Sequence, residues 1–449
     1  MNNAMKIFSR TTFRSCSLIG LLLLVIAGGV SAEETLTLEE ARSLAEANSP
    51  TLQSASLEMD AAELEKAALK YDWYPRVSLS GRIGVSGAES ELLSSEVNSS
   101  VRISLSQQIW DGGKSALQRK LSGVGVEIAA SDWESTLLDV RCQCDQYFFA
   151  YLEAADQEAA AEADLAAAEA RLAEIEGKLE AGMISRASYL EARADAAGKE
   201  TALLQKQRNT FSARAELASY LGLDELPETE YSVEEYTVGI EAIAALDEAQ
   251  IEEISGKLIG QGLAEAPELL KADLAEKQAL LTAAVEKKEY APTVSLSLSD
   301  QFSPGRGEDL SGNASISLSA SITLSQWKRG NTADQAEIAV QQSSLSSSET
   351  RRTYVLGIES AWNDLISAAR TAVSAGAALE YAEELYKETL EMYNLSAGSL
   401  MDLRDAEATL VTNRNTCSSA RFDYLKSVSN LVSILALEDE NLLWEIIRL

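Results

Sequence analysis

Without a single histidine, the sequence lacks the side chain most often used for proton transfer near neutral pH and for binding metal. No glycine-rich phosphate loop and no cysteine–histidine cluster occurs, and no carboxylate pair falls in an identifiable pocket. The sequence therefore offers no catalytic residue, no metal site and no cofactor site. Of its many acids, Asp402 and Asp405 stand out. Three residues apart, they share one helical face, with Arg404 between them. Together they could attract cations; equally, they could be two solvated acids on a helix already rich in them.

Cysteine gives a second test of chemistry. Cys142, Cys144 and Cys417 lie beyond the leader discussed next, and an oxidising compartment would favour pairing. Cys142 lies 40 residues before the helix-breaking Gly182, whereas Cys417 lies 19 residues after Gly398. Along helices this separates their heights by about 30 Å, beyond disulfide reach. Cys142 and Cys144, two apart on one helix, point in different directions. Packed free thiols are expected.

Residues 1–32 form a signal peptide: Lys6, Arg10 and Arg14 precede an apolar core from Leu18 to Ala27, and Val30-Ser31-Ala32 offers a cleavage site. Cys16 precedes that core, so lipid attachment at the cleavage site is not indicated. The formal charge of −32 becomes −35 on cleavage, since three basic residues and no acid are lost. Such a chain repels phosphate, which argues against nucleic acid as a partner. The acids are spread over helical segments, as a solvated helix surface or a negative lumen would require.

The elements that must position these residues are of two kinds. Val77, Leu79, Gly81, Ile83 and Val85 alternate with Ser78, Ser80, Arg82, Gly84 and Ser86, then Val101, Ile103 and Leu105 alternate with Arg102, Ser104 and Ser106. Period two predicts strands over about 77–87 and 99–109, apolar on one face and polar on the other. Val294, Leu296 and Leu298, then Ala314 to Leu324, repeat the pattern with serines and predict strands over about 293–301 and 314–324. A shift of 217 positions carries Pro50, Pro75, Trp110 and Gly113 onto Pro267, Pro292, Trp327 and Gly330 without a gap, so the chain is read as an internal duplication. The tips, Ala88 to Asn98 and Phe302 to Gly307, read as loops.

The rest is helical. Thr37-Leu38-Glu39-Glu40 has the form of a capping box. Lys114 to about Glu180 runs without a strong breaker, on the order of 100 Å, and turns at Ala181-Gly182. Leu190, Ala197, Leu204, Phe211 and Ala218 then return at heptad spacing. The second copy runs from about Thr332 to Asn394, turns at Ala397-Gly398 and returns along Leu403, Leu410, Cys417, Tyr424 and Leu431. This divides the chain into a first repeat (33–221), an inserted element (222–262) with a short helix near Glu248–Ile259, a second repeat (263–435) and a C-terminal segment (436–449).

Leu36-Thr37-Leu38-Glu39-Glu40-Ala41 with Asn48-Ser49-Pro50, Tyr74-Pro75, Trp110-Asp111-Gly112-Gly113-Lys114, Asp402-Leu403-Arg404-Asp405-Ala406 and Ala420 to Leu425 occur in the order and spacing of one family. The chain resembles the TolC family of outer-membrane efflux and secretion ducts. The resemblance implies a mainly α fold with a small β part. Long antiparallel helical hairpins would form a trimeric periplasmic α-barrel, continuous with an outer-membrane β-barrel to which each chain gives four strands. It implies a passive exit duct of a tripartite efflux pump or type I secretion system. The implied partners are two further copies of the chain, a periplasmic adaptor (membrane fusion) protein, an inner-membrane transporter and outer-membrane lipid.

The resemblance also assigns sites. The tips Gly182-Met183-Ile184 and Gly398-Ser399-Leu400 would dock the adaptor; their plainer reading is glycine chemistry at a helix reversal. Asp402 and Asp405 would form a ring of six carboxylates that selects cations and raises its members' pKa. Tyr393 would help to hold the pore shut. The aspartate expected soon after the first tip is missing around Ala187-Ser188, and no arginine lies between Gly398 and Asp402, so the family's closing salt bridge is not carried over. Ser78, Ser80, Arg82, Arg102, Ser104 and Ser295 would face the barrel lumen. Trp73, Tyr74, Trp110 and Trp327, at strand ends, fit an aromatic belt or packing where barrel meets tube. The rival reading is a periplasmic coiled-coil scaffold or adhesin without a channel.

Overall fold

The computed structural model describes residues 36–86, 96–229, 237–304, 310–322, 329–395, 397–437 and 440–447. The leader, most of both hairpin tips and Trp327 lie outside the described residues.

Local chemistry sets the first helices. The Thr37 hydroxyl accepts from the Glu40 N–H at 3.3 Å while the Glu40 carboxylate accepts from the Thr37 N–H at 3.1 Å, which starts α1 (Leu38–Asn48). Ser49 caps α2 (Pro50–Ala68), whose first position is a proline with no N–H to leave unpaired. Strands β1 (Arg76–Ser86) and β2 (Glu96–Trp110) follow, then α3 (Lys114–Glu180) and α4 (Arg186–Leu221). Helices α5 (Thr237–Ala244), α6 (Glu248–Glu265) and α7 (Pro267–Lys288) lead to β3 (Thr293–Pro304) and β4 (Leu310–Ser321). The chain continues through α8 (Arg329–Asn394), α9 (Leu400–Ile434) and α10 (Glu440–Ile447).

At 67 and 66 residues, α3 and α8 are each about 100 Å long. No described helix is long and apolar enough to cross a membrane. The turn after α3 closes through a left-handed Gly182 (φ 72°), with the Met183 N–H donating to the Lys178 carbonyl at 2.9 Å. The turn after α8 differs from expectation. Gly398 does not have a positive φ. A Cβ there would lie 3.3 Å from the Met392 Cβ, so close approach to the end of α8 is what favours glycine.

The four strands pair antiparallel in chain order. β4 starts four residues before the expected Ala314, because Gly312 and Asn313 still pair with Phe302 and Gln301, and it ends at Ser321. Apolar Val77, Leu79, Ile83, Ile316 and Leu318 share one face and are 68–81% exposed. The other face is a grid of hydroxyls: Ser78–Ser104, Ser295–Ser319, Ser297–Ser317 and Ser299–Ser315 bond across the strands at 2.7–2.9 Å.

The core sits where the helices converge below the sheet. Phe148, Phe149, Leu217, Leu221, Ile358, Trp362, Tyr424 and Leu431 are buried there. The inserted element contributes α5 and α6, which pack on α8. The Trp362 indole donates to the Ile251 carbonyl at 3.3 Å. Helix α10 folds back on α6 and α9.

The two return helices use their heptads differently. In α9, Leu403, Leu410, Cys417, Tyr424 and Leu431 are all buried. In α4 the equivalent series points outward: Leu190, Leu204 and Phe211 are 49, 61 and 73% exposed, and only Ala218 is buried. Helix α4 meets α3 along another face, where Lys206 donates to Gln157 at 2.6 Å and Thr210 to the Ala154 carbonyl at 3.1 Å.

Candidate functional site: sheet, junction and helical tips

The sheet and the helices are held in line by the Trp110-Asp111-Gly112-Gly113 turn. The Asp111 carboxylate accepts from the Gly113 N–H at 3.0 Å and the Ser115 N–H at 2.7 Å, and from the Ser115 hydroxyl, capping α3. Gly112 has φ 71°, and a Cβ on it would fall 2.1 Å from the Ala291 Cβ. Lys114 pairs with Glu289 beside it. Trp73, Tyr74 and Trp110 are 39–60% exposed around this level in the single chain.

Ser78, Ser80, Arg82, Arg102, Ser104 and Ser295 all lie on the polar face, as the pairing register requires. Both tips lie at the far end of the long helices. Gly182 and Met183 are exposed and Ile184 half-buried; Ser399 is exposed, Gly398 and Leu400 half-buried. Met183, Leu395 and Met401 are 61–80% exposed, giving both tips an apolar surface. Tyr393 is half-buried near Lys178, whose protonated form is favoured by its bond to Glu174 at 2.5 Å.

Asp402 and Asp405 are both exposed on α9. Asp402 is also part of a helix cap: the Ser399 N–H and hydroxyl donate to its carboxylate at 3.2 and 2.7 Å, and its own N–H donates to the Ser399 hydroxyl at 3.1 Å. These bonds hold it below the ordinary carboxylate range. Within one chain this is the opposite of the expected rise.

Sequence reasoning missed a charged network behind the tips. Glu407 of α9 is buried between Arg171 of α3 at 2.6 Å and Lys199 of α4 at 3.1 Å, and Arg171 also reaches the Tyr386 hydroxyl of α8 at 3.4 Å. Arg404 bridges to Glu191 at 3.0 Å and Asp195 at 3.5 Å on α4. Burial pushes the Glu407 carboxyl up, but Arg171 and Lys199 more than offset it and hold the group ionised. The available signal was a glutamate four residues after Leu403 and three before Leu410, on the apolar face of α9. At the other end Arg42 reaches the buried Asp145 at 2.6 Å and Glu440 at 3.1 Å, tying α1, α3 and α10 together.

Cys142, Cys144 and Cys417 are free. Burial pushes the Cys144 thiol up to about 12, so it is a packed and unreactive group. Among the described residues, no cluster could hold a metal ion.

A sequence profile for outer membrane efflux proteins matches residues 41–223 and 258–437. The chain belongs to the outer membrane efflux protein family. Its place is the outer membrane, with the long helices in the periplasm, and its function is that of an exit duct, in a family of channels and not of enzymes. No curated protein sequence matches it. Solved structures share the fold. CusC superposes with a TM-score of 0.75 at 18% identity, covering 89% of this chain and 91% of that one. The outer membrane channel CmeC of Campylobacter jejuni gives 0.72 at 16%, covering 94% of each chain. The open state of the MtrE outer membrane channel of Neisseria gonorrhoeae gives 0.68 at 15%, covering 89% of each.

Proposed function

We propose that three copies of this chain, each a twofold internal repeat, close one passive duct that receives substrate from an inner-membrane transporter through a periplasmic adaptor. A tripartite efflux pump is the assembly it fits best; a type I secretion system would use the same duct. The observation that carries the reading is a four-stranded sheet with a lipid-type face and two unpaired edges, mounted on helices about 100 Å long. Unpaired edges cannot stand in a bilayer, so other copies must supply the missing neighbours. The outward stripe of α4, Leu190, Leu204 and Phe211, is a second surface that needs covering.

The adaptor docks on the apolar tips around Met183 and Leu400, where methionine suits an adaptable contact. Asp402 and Asp405 ring the periplasmic mouth and attract cations, with Tyr393 beside them at the constriction. The rival scaffold or adhesin explains the long helices but not the continuous apolar sheet face.

Single-channel conductance of the detergent-extracted protein in planar bilayers tests this. A small, cation-selective conductance, weakened in selectivity by Asp402→Ala/Asp405→Ala, supports duct and ring. Conductance with unchanged selectivity retains the duct and discards the ring. A mature protein that stays soluble without detergent and never inserts discards the duct.

A further inference from the structure

The polar face of β1 and β2 carries Arg76, Arg82 and Arg102, with Glu96 at its far end, opposite Ser86. Arg102 lies opposite Ser80 on β1 and Gln301 on β3, and its guanidinium donates to the Gln301 side chain. Arg82 stands two residues beyond Ser80 on β1, opposite Ser100. The two arginines are therefore diagonal neighbours on one face, with Cα atoms about 7–8 Å apart. Arg76, nearer the helices, has Asp72 at 3.9 Å. No position paired with or diagonal to Arg82 or Arg102 on that face holds a carboxylate; apart from the two arginines themselves, those positions hold serine, asparagine and glutamine. Asp300 does not compensate them. It pairs with Ile103 and Ala314 and so belongs to the apolar face.

Two guanidiniums side by side repel each other, and this placement costs stability unless counter-charge is present. No adjacent position of the face supplies it, since Glu96 lies four residues along β2 from Ser100, so the water-filled space is the nearer source. Three copies would set six guanidiniums at one level of a narrow pore with low-dielectric walls, which concentrates the field. Arginine rings are how anion-selective pores are built, and the guanidinium fork matches carboxylate and phosphate oxygens.

We propose that Arg82 and Arg102 form an anion-binding collar in the barrel, taking carboxylate or phosphate groups of solutes leaving the duct. The collar lies in series with an acidic helical tube, so the duct carries opposite selectivity at its two ends. The inference rests on the reading of the polar face as the lumen of a trimeric barrel.

The test uses the full mature protein in planar bilayers, with inositol hexakisphosphate as probe. Arg82→Gln/Arg102→Gln is compared with Arg82→Lys/Arg102→Lys and the parent, all checked for equal trimer yield. Added on the barrel side, the probe should block the parent at concentrations at least tenfold below those needed for the glutamine variant. The lysine variant should keep most of the block. The block should weaken on raising KCl from 0.1 to 1 M, as screening requires. The glutamine variant should also shift its reversal potential in a KCl gradient toward cations. Equal block in parent and glutamine variant, or block only from the tip side, overturns the collar while leaving the duct. A parent that gives no channels overturns the duct and the collar with it.

Discussion

The return helices α4 and α9 have nearly the same length, 36 and 35 residues, and the same heptad spacing, yet one buries its stripe and the other shows it. Both lie along a long helix, α4 on α3 and α9 on α8. The difference lies in what fills the seam. The stripe of α9 ends in Tyr424 and Leu431, inside the core that α5, α6 and α10 complete. The stripe of α4 runs up to Phe211 with no such cover, while Lys206 and Thr210 face α3. A heptad in sequence therefore reports that a helix has a partner, but not whether that partner is in the same chain. Here α9 builds the protomer, while α4 leaves its stripe exposed, as the proposed trimer would require.

Truncation should separate the two roles, and the largest effect belongs to α9. Leu431 is fully buried, so Leu431→Ala should cost the protomer about 2–5 kcal/mol through lost burial and an unfilled cavity. Phe211→Ala should leave protomer unfolding within about 0.5 kcal/mol of the parent, as exposed substitutions do, while lowering the trimer fraction on native gels. Denaturant unfolding of dissociated protomers and trimer yield read the two arms. If Phe211→Ala destabilised the isolated protomer as much as Leu431→Ala, the division between building and presenting would fail.

The second effect concerns what locks one hairpin to the other. Glu407→Gln leaves Arg171 and Lys199 without their carboxylate. Full burial would make this cost 3–5 kcal/mol; with both cations partly open to water, about 2 kcal/mol is expected. The sign with pH follows from the lowered pKa of Glu407. A carboxylate held below its ordinary value contributes stability above the unfolded value, about 4.3, and loses it as pH falls through the folded value. The parent should therefore lose this increment on acidification below about pH 4, and Glu407→Gln should not. Matching acid-unfolding slopes in both proteins would remove Glu407 as the lock.

These two effects show what the sequence could convey. Strand alternation at Val77–Ser86 and the capping box at Thr37 are local patterns, and both elements form where expected. So does α3, because nothing between Lys114 and Glu180 breaks a helix. The short α5 was missed because it owes its place to packing on α8, a contact across more than a hundred residues. The Glu407 network was equally hidden, since Arg171, Lys199 and Glu407 meet only after both hairpins fold together. The bond between Ser399 and Asp402, by contrast, is local, since serine three residues before an acid at a helix start is itself a capping signature.

A third comparison sets the two tips against each other. Gly182 needs a left-handed backbone and has open space around it, so Gly182→Ala should strain the turn by about 1–2 kcal/mol. Gly398 has an ordinary backbone, and an added methyl would press the Met392 Cβ and the Tyr393 backbone nitrogen, both at 3.3 Å, a tight contact that asks the end of α8 to give by a few tenths of an ångström but adds no backbone strain. Gly398→Ala should therefore cost less. Hydrogen exchange at the amides flanking each turn reads the difference; faster exchange at the second tip than at the first would reverse the assignment of the two glycines.

The smallest effect, and the sharpest within one helix, separates Asp402 from Asp405. Both are exposed and three residues apart, so in an acidic ring each should contribute similarly to cation selectivity. Only Asp402 also closes the cap with Ser399. Asp405→Asn should weaken cation selectivity and leave the first turn of α9 as protected from exchange as in the parent. Asp402→Ala should weaken selectivity to a comparable degree and also let that turn fray, with faster exchange at the Asp402 and Leu403 amides. Because Ser399 holds the Asp402 carboxylate below the ordinary range, the fraying in the parent should begin only when acid protonates it, below the ordinary carboxylate range. In Asp405→Asn the selectivity that Asp402 supplies should persist on acidification until its lowered pKa is reached, together with the protection of the first turn of α9. Loss of both already within the ordinary carboxylate range would mean that repulsion across the ring outweighs the cap.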